Sequence, residues 1–360
     1  MKNNLFHIDF KLNGKSFSTS NELIFFSKDL ASSTEQFFID WFDDNDFIKV
    51  QTSGSTGKPK AIKLRKEFMI NSAFATGSFF DLKEKTNALL CMSTDFIAGK
   101  MMLVRALVLG WNLDVIEPVS NPLEITKGNY DFSAMVPMQL QNSLSEIDRI
   151  KKLIVGGGIV SSDLEKQLQN ISTEVFSTFG MTETITHIAV RRLNHDVISS
   201  GVEKSLYQTL PNVSISKDER NCLVINAQKI SENTIVTNDV VEIKSTTKFK
   251  WLGRFDNVIN SGGIKLHPEE IENKLAKIIS QRFFVAGIPD EKLGEKLVLI
   301  VELQSSKVAQ LSSYLNNNIK RLDSLSKFEK PKAIYFVDAF IETDTKKIQR
   351  NKTLDILFKL

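Results

Sequence analysis

Apolar positions along the chain alternate between a spacing of two and a spacing of three to four, and the switches mark out the elements. Residues 5–18 alternate around Asn13-Gly14, a pair suited to a tight hairpin turn. Ser32-Ser33-Thr34-Glu35-Gln36 has the spacing of a capping box, and opens a helix through Trp41 with Phe37, Phe38, Trp41 and Phe42 on one face. The runs 47–50 and 61–64 read as strands around a loop. An amphipathic helix is expected over 65–82, a buried strand over 88–92, and an apolar helix within 93–116 that runs into a strand at 113–116. The alternation continues with a strand at 134–136, a helix from about Pro137, a strand at 152–155, a helix over 162–169 and a strand at 174–177. Strands that alternate with helices in this way predict an α/β fold with a parallel sheet.

After residue 197 the pattern changes. Short apolar segments at 213–215, 222–225 and 235–236 predict a β-rich subdomain. Pro268 followed by Glu269 and Glu270 suits a helix N-terminus, because proline needs no N–H partner there and the carboxylates oppose the helix dipole. Strands at 283–288, 296–303 and 333–337 with a helix over 308–322 complete a compact α+β unit.

At 360 residues the chain has room for two domains, and its 46 basic and 43 acidic residues leave a formal charge of only +3. That balance argues against a nucleic-acid or membrane-surface partner. Cys91 and Cys222 show neither metal-ligand spacing nor a disulfide framework, which points to a reducing compartment. No apolar run approaches membrane-spanning length, so no membrane insertion and a cytoplasmic location are expected.

The candidate chemistry begins between the strands at 47–50 and 61–64. Thr52, Ser53, Gly54, Ser55, Thr56, Gly57, Lys58, Pro59 and Lys60 combine flexible backbone, hydroxyl donors and compact positive charge, which suits the phosphates of a nucleoside triphosphate. A Walker loop is disfavoured, because Pro59 biases Lys58 away from helix where that motif opens one. Arg105 stands alone as a charge in its apolar helix. It is either a surface arginine that snorkels or a guanidinium aimed into a pocket to pair with a carboxylate. Gly156-Gly157-Gly158 follow a strand, where doubly wound sheets bind ligands, although a plain tight turn would look the same. His187 taken alone reads as a packed, satisfied histidine more readily than as a functional one.

The string from Thr52 to Lys60 resembles the signature loop of the adenylate-forming superfamily, which comprises acyl-CoA synthetases, peptide synthetase adenylation domains and luciferases. Further motifs follow in that family's order. Phe179-Gly180-Met181-Thr182-Glu183 resembles the motif whose aromatic stacks on adenine, whose threonine bonds phosphate and whose glutamate helps hold Mg²⁺. Thr237-Asn238-Asp239 matches the segment whose aspartate takes the ribose hydroxyls, with Asn238 in a place where glycine is usual and a left-handed backbone is tolerated. Gly253-Arg254, Asp256, Ser261-Gly262-Gly263 and Lys265 match the hinge motif. The resemblance gives Arg254 a ribose or phosphate contact, Asp256 the pivot, and the turn with Gly262, Gly263 and Lys265 the approach of CoA. Lys347 matches the family's catalytic lysine before Ile-x-Arg, with Lys346 standing where glycine is expected.

The fold so implied is α/β, with a large N-terminal domain (1–253) holding a doubly wound sheet and a β-rich subdomain, and a small α+β C-terminal lid domain (254–360) on a hinge near Asp256. The stretch ahead of the phosphate loop is short for the family. The run Met181 to Thr184 followed by His187-Ile188-Ala189, together with the helix bearing Arg105, looks like one branch, the o-succinylbenzoate-CoA ligases of menaquinone biosynthesis. For that branch Arg105 would hold the dicarboxylate, with Gly157, Gly158 and His187 as further substrate residues. ATP, Mg²⁺ and CoA are the implied cofactor set, a small carboxylic acid the partner, and homodimerisation stays open. Another aryl-acid CoA ligase, an adenylation module that loads a carrier protein, and a noncatalytic adenylate-binding protein are the alternatives.

Overall fold

The computed structural model describes residues 6–51, 61–194, 205–304, 308–343 and 348–358. The candidate phosphate loop from Thr52 to Lys60 and the candidate lysine Lys347 lie outside the described residues. Two compact units divide the chain. The first takes Met1–Ser216, Val224–Ile235 and Lys244–Phe249; the second takes Lys217–Leu223, Val236–Ile243 and Lys250–Leu360.

The first unit opens with strands β1 (Lys11–Leu12) and β2 (Lys15–Ser16), turned at Asn13 and Gly14, both at positive φ, and helices α1 (Ser20–Ser27) and α2 (Ser32–Phe42). The expected capping box of α2 does not form. Ala31 is the N-cap, and the hydroxyls of Ser33 and Thr34 instead meet Thr94 Oγ1 at 2.7 and 2.9 Å. Next come β3 (Phe47–Gln51), β4 (Ala61–Arg65), α3 (Lys66–Phe79), β5 (Asn87–Leu90), α4 (Ile97–Leu109), β6 (Asn112–Val115), β7 (Tyr130–Met135), α5 (Pro137–Asn142), β8 (Ile150–Val155), α6 (Ser162–Gln167), β9 (Glu174–Gly180), β10 (His187–Arg192) and β11 (Tyr207–Thr209).

The main sheet of this unit runs β11-β10-β9-β8-β7-β5-β6-β1-β2. Strands β6, β5, β7, β8 and β9 are mutually parallel, and β10 turns back antiparallel on β9. Both faces are covered, as a parallel sheet requires. On one face Leu89, Leu153, Val155 and Val175 cluster with Leu140 of α5 and Leu164 of α6. On the other, Phe132 and Phe176 meet Phe80 at the end of α3, and Phe132 also meets Trp111 just after α4. The sheet is therefore doubly wound, and the order in which strands are added reverses between β5 and β7, the switch point where such sheets bind ligands.

Helix α4 ends at Gly110, whose left-handed backbone returns its N–H to Ala106. Strands β12 (Ser214–Lys217), β13 (Cys222–Asn226), β14 (Ile235–Ser245) and β15 (Lys248–Arg254) contribute residues to both units.

The second unit contains β16 (Ile259–Ser261), β17 (Ile264–Leu266), α7 (Pro268–Leu275), β18 (Phe283–Asp290), β19 (Gly294–Glu302), α8 (Val308–Arg321), β20 (Ala333–Val337) and α9 (Arg350–Phe358). Alternation along β19 splits its core in two. Leu297, Leu299 and Val301 cluster with Ile271 and Leu275 of α7 and Leu315 of α8, while Val298 and Ile300 cluster with Phe340 and with Leu354 of α9. Gly262 and Gly263 form the two-residue turn between β16 and β17, both at positive φ (61° and 80°), a conformation glycine adopts without steric cost. Among the described residues no helix is long and apolar enough to cross a membrane.

Candidate active site

The loops after the parallel strands carry the candidates of the first unit. Strands β3 and β4 pair antiparallel up to Gln51 and Ala61, so the phosphate-type segment joins two strands, as expected, and does not open a helix. Gly157 and Gly158 are exposed at the end of β8, beside Val136 and Pro137 at the start of α5. Strand β9 is longer than expected and carries Phe179 to its end. There Phe179 is half-buried and packs edge-on against Tyr207 (5.7 Å between centroids) and Phe249 (5.2 Å).

Gly180 follows because nothing larger fits. A Cβ at that position would lie 2.3 Å from Thr186 O and 2.5 Å from His187 Cα on the neighbouring strand. Thr182 to Thr184 make a single 3-10 turn, with Thr182 half-buried and Glu183 exposed. Among the described residues Glu183 makes no hydrogen bond or ion pair, and no group of three His, Cys, Asp or Glu residues gathers as a protein-only metal cage. One free carboxylate fits Mg²⁺, which is held through one or two carboxylates plus substrate phosphates. Ile185 then takes φ 65°, ψ −60°, and Thr186 N donates to Thr184 O at 2.7 Å. That is a γ-turn, strained for a β-branched residue, and it delivers the chain into β10 at His187.

Arg105 and His187, drawn from α4 and β10, are brought together. Arg105 is 1% exposed, which rules out a snorkelling surface arginine. Its NH2 group lies 3.4 Å from His187 Nδ1, its Nε donates to Thr76 Oγ1 at 3.3 Å, and NH1 lies 3.6 Å from Met102 Sδ. A guanidinium can only donate, so Nδ1 of His187 is the acceptor and Nε2 carries the proton. Nε2 in turn lies 3.5 Å from Thr76 Oγ1, whose hydroxyl donates to Ser72 O at 3.1 Å.

Burial, and then the neighbouring Arg105 charge, hold His187 well below its ordinary pKa, so it is neutral. Burial alone lowers Arg105 to about 9, which leaves it charged at neutral pH. Among the described residues no carboxylate pairs with it. A guanidinium removed from water and given only neutral partners costs the fold free energy that a bound anion would return. Beside His187 opens a small, mainly apolar cleft of about 20 Å³, lined by Ala75, Ile188, Leu210 and Val213 together with Asn71 and Lys229, with room for about one water. Sequence reasoning missed Thr76. A threonine in an amphipathic helix carries no distinguishing signal.

The second unit holds the other candidates. Asp239 is 6% exposed on β14 and Arg254 ends β15, with Arg254 NH1 3.8 Å from Asp239 Oδ2 and NH2 3.5 Å from Asp256 Oδ2. Trp251 Nε1 donates to Asp239 Oδ1 at 3.0 Å, a contact the sequence did not announce. Asn238 makes no use of the left-handed backbone that asparagine tolerates. It lies in extended β14 without positive φ, and its amide reaches Asp256 Oδ2 at 3.3 Å while Arg220 NH1 donates to its carbonyl at 2.9 Å. The position needs a side chain for this network and no special backbone. Asp256 is exposed, as are Gly262, Gly263 and Lys265 on the β16–β17 hairpin.

A family model described as AMP-binding enzyme matches residues 22–216. The chain belongs to the AMP-binding enzymes. Among solved structures, an AMP-forming acyl-CoA synthetase/AMP-acid ligase II-like protein from Dyadobacter fermentans is 38% identical, with a TM-score of 0.60, over 91% of this chain and 94% of that one. The o-succinylbenzoate CoA synthetase of Bacillus subtilis, in complex with its acyl-adenylate intermediate, shares the fold at 19% identity and a TM-score of 0.70, over 84% of this chain and 68% of that one. A 2-succinylbenzoate–CoA ligase of Staphylococcus aureus is 26% identical over 84% of this chain and 65% of its own length. The chain thus spans about two thirds of the length of such curated relatives. Within this AMP-binding enzyme, the matched segment includes Arg105, Phe179, Thr182, Glu183 and His187, whereas Asp239, Arg254 and Asp256 lie beyond it.

Proposed function

We propose that this AMP-binding enzyme is an acid–thiol ligase that joins a dicarboxylic aryl acid, o-succinylbenzoate, to CoA by way of an acyl-adenylate. The observation that carries the reading is Arg105, a buried guanidinium whose neighbours are a neutral histidine, a hydroxyl and a thioether. Such a cation is complementary to a second carboxylate on the acid, the one that does not react. The names of the relatives support the same acid. The reaction belongs to menaquinone biosynthesis and to the cytoplasm, where ATP and CoA are supplied.

A carboxylate is a poor acyl donor because oxide leaves badly. In the first half-reaction the carboxylate oxygen attacks the α-phosphorus of ATP, the bond to the bridging oxygen breaks, and pyrophosphate leaves. In the second the CoA sulfur attacks the acyl carbonyl, AMP leaves with the electrons of the C–O bond, and the thiol proton is released. Positioning and charge neutralisation do most of the work in such transfers. Thr52 to Lys60 hold the β and γ phosphates. Phe179 and Asp239 hold the nucleoside, Arg254 a ribose or phosphate oxygen, and Thr182 and Lys347 the α-phosphate. Glu183 would hold Mg²⁺, which when bound would supply neutralisation of phosphate charge. Asp256 is the hinge of a C-terminal domain that begins near residue 254, and the turn with Gly262, Gly263 and Lys265 leaves room for the pantetheine arm.

The test is thioester formation with ATP, Mg²⁺ and CoA against o-succinylbenzoate, benzoate, 4-hydroxybenzoate, acetate and a medium-chain fatty acid. Selective release of AMP and o-succinylbenzoyl-CoA is the expected result. AMP with a different acid discards the substrate and keeps the chemistry, while no AMP with any acid overturns both. Lys347→Ala is expected to abolish adenylation and to spare thioester formation from a preformed adenylate; equal loss of the two halves refutes that role for the lysine.

A further inference from the structure

We propose that Trp251 is a positioning residue for nucleotide binding: its indole N–H fixes the carboxylate of Asp239 in the orientation that accepts the ribose hydroxyls. The proposal rests on the reading of Asp239 as the ribose acceptor. Among the described residues Trp251 Nε1, at 3.0 Å from Oδ1, is the one side-chain hydrogen-bond donor to Asp239. Arg254 stands off at 3.8 Å from Oδ2, beyond hydrogen-bonding distance, and its other terminal nitrogen faces Asp256. The backbone is fixed as well, since Asp239 N donates to Thr237 Oγ1 at 3.0 Å.

The choice of donor matters. A lysine or arginine hydrogen-bonded there would neutralise the carboxylate and occupy several lone pairs. An indole has a single N–H, no charge and no titration, so it takes one lone pair of about four and leaves the others as acceptors. The charge is already under strain from burial, which raises the Asp239 pKa, with Glu269 and Asp256 adding to the rise. Trp251 and Arg254 work in the opposite direction, and Trp251 contributes more of the two. The indole therefore both aims the carboxylate and helps keep it ionised, the form that accepts hydroxyl hydrogen bonds.

The experiment measures equilibrium binding of ATP, 2′-deoxy-ATP and 3′-deoxy-ATP to the full chain, with and without Trp251→Phe, Trp251→Gln and Asp239→Asn, each variant first checked by thermal unfolding. Trp251→Phe is expected to weaken ATP about tenfold, the loss of one hydrogen bond to a charged group, while the deoxy forms weaken less. Preference for the ribose hydroxyls therefore falls, and the pH below which ATP binding is lost moves upward. Trp251→Gln, which restores an N–H, is expected to recover part of the preference. A loss of packing alone would weaken all three nucleotides equally and would overturn the proposal.

If Asp239→Asn lowers ATP affinity while Trp251→Phe leaves affinity and preference unchanged, Trp251 has no positioning role and the ribose reading stands. If Asp239→Asn changes nothing, the ribose reading fails and this proposal with it. A second measurement needs no change at Trp251. The chain has three tryptophans, of which Trp41 and Trp111 are fully buried in the first unit. One indole N–H resonance is expected to shift in Asp239→Asn, and the same one on adding ATP to the unmodified protein. ATP that leaves all three unmoved overturns the proposal.

Discussion

Arg105 is buried and Arg350 half-buried, on opposite terms. Arg350, at the start of α9, has NH1 2.9 Å from Glu272 Oε1 and NH2 3.8 Å from Glu269 Oε1, donates to Val285 O at 3.2 Å, and lies over the ring of Phe284. Arg105 has no carboxylate near it among the described residues, and its partners are a hydroxyl, a thioether and a neutral imidazole. The fold closes the charge balance of Arg350 internally. That of Arg105 stays open. A guanidinium satisfied within the fold is structural, whereas one satisfied only by neutral acceptors keeps its attraction for an anion from outside.

The contrast is broken or sharpened first by removing each cation. Arg350→Met takes its counter-ion from buried Glu272, and a loss of stability in chemical denaturation is expected that is larger at about pH 8, where the parent's Glu272 is ionised, than at about pH 5, where it is protonated. Arg105→Met leaves no orphaned anion, so its stability should hold or rise, while kcat/KM for the dicarboxylic acid falls about 100-fold, roughly 3 kcal/mol of transition-state binding. If Arg105→Met destabilises as much as Arg350→Met does, both arginines are structural and the contrast is void. Thr76→Val removes the acceptor of Arg105 Nε and is expected to raise KM for the acid about tenfold, with kcat changed less and Thr76→Ser restoring the value. Equal losses in KM and kcat would remove Thr76 from the positioning of the guanidinium.

The smallest effect is a pH dependence. Burial raises Glu272 to about 7, outweighing the attraction of Arg350. A carboxyl whose folded pKa lies above its unfolded value binds its proton more tightly when folded. Its contribution is therefore fully present below about 4.5 and is lost as pH rises through about 7. The difference in unfolding temperature between the parent and Glu272→Gln should change across that window and level off above it. A difference that stays flat from about pH 4 to about pH 8 would show that folding leaves the pKa of Glu272 at its unfolded value.

How far the sequence disclosed these sites follows from what periodicity encodes. Spacing reports which elements exist and which faces are apolar, so the parallel strands, the glycine turn at Gly262-Gly263 and the start of α7 at Pro268 were all legible. It does not report which side chains from distant elements meet. Arg105 and His187 each read as ambiguous, and only the packing of α4 against the start of β10 makes them neighbours. Thr76 and Trp251 were silent for the same reason, since each acts through a partner on another element. The capping box of α2 misled because Ser33 and Thr34 found a tertiary partner in Thr94, which outweighs a local cap. At Asn238 the tolerance for a left-handed backbone goes unused, and the side chain is what serves there.

The missing side chain at Gly180 constrains how this protein could change its diet. The backbone that approaches it belongs to Thr186 and His187, so a methyl group at 180 would push outward the strand that presents His187 to Arg105. If Thr76, His187 and Arg105 hold the acid as proposed, a lineage that exchanged one acid for another could alter each in turn. It could not loosen residue 180 in the same search without disturbing Thr182 and Glu183 just beyond it. On the proposed roles of these residues, acid preference would be tied through one absent carbon to phosphate chemistry, and new specificities should arise by substitutions around a fixed glycine.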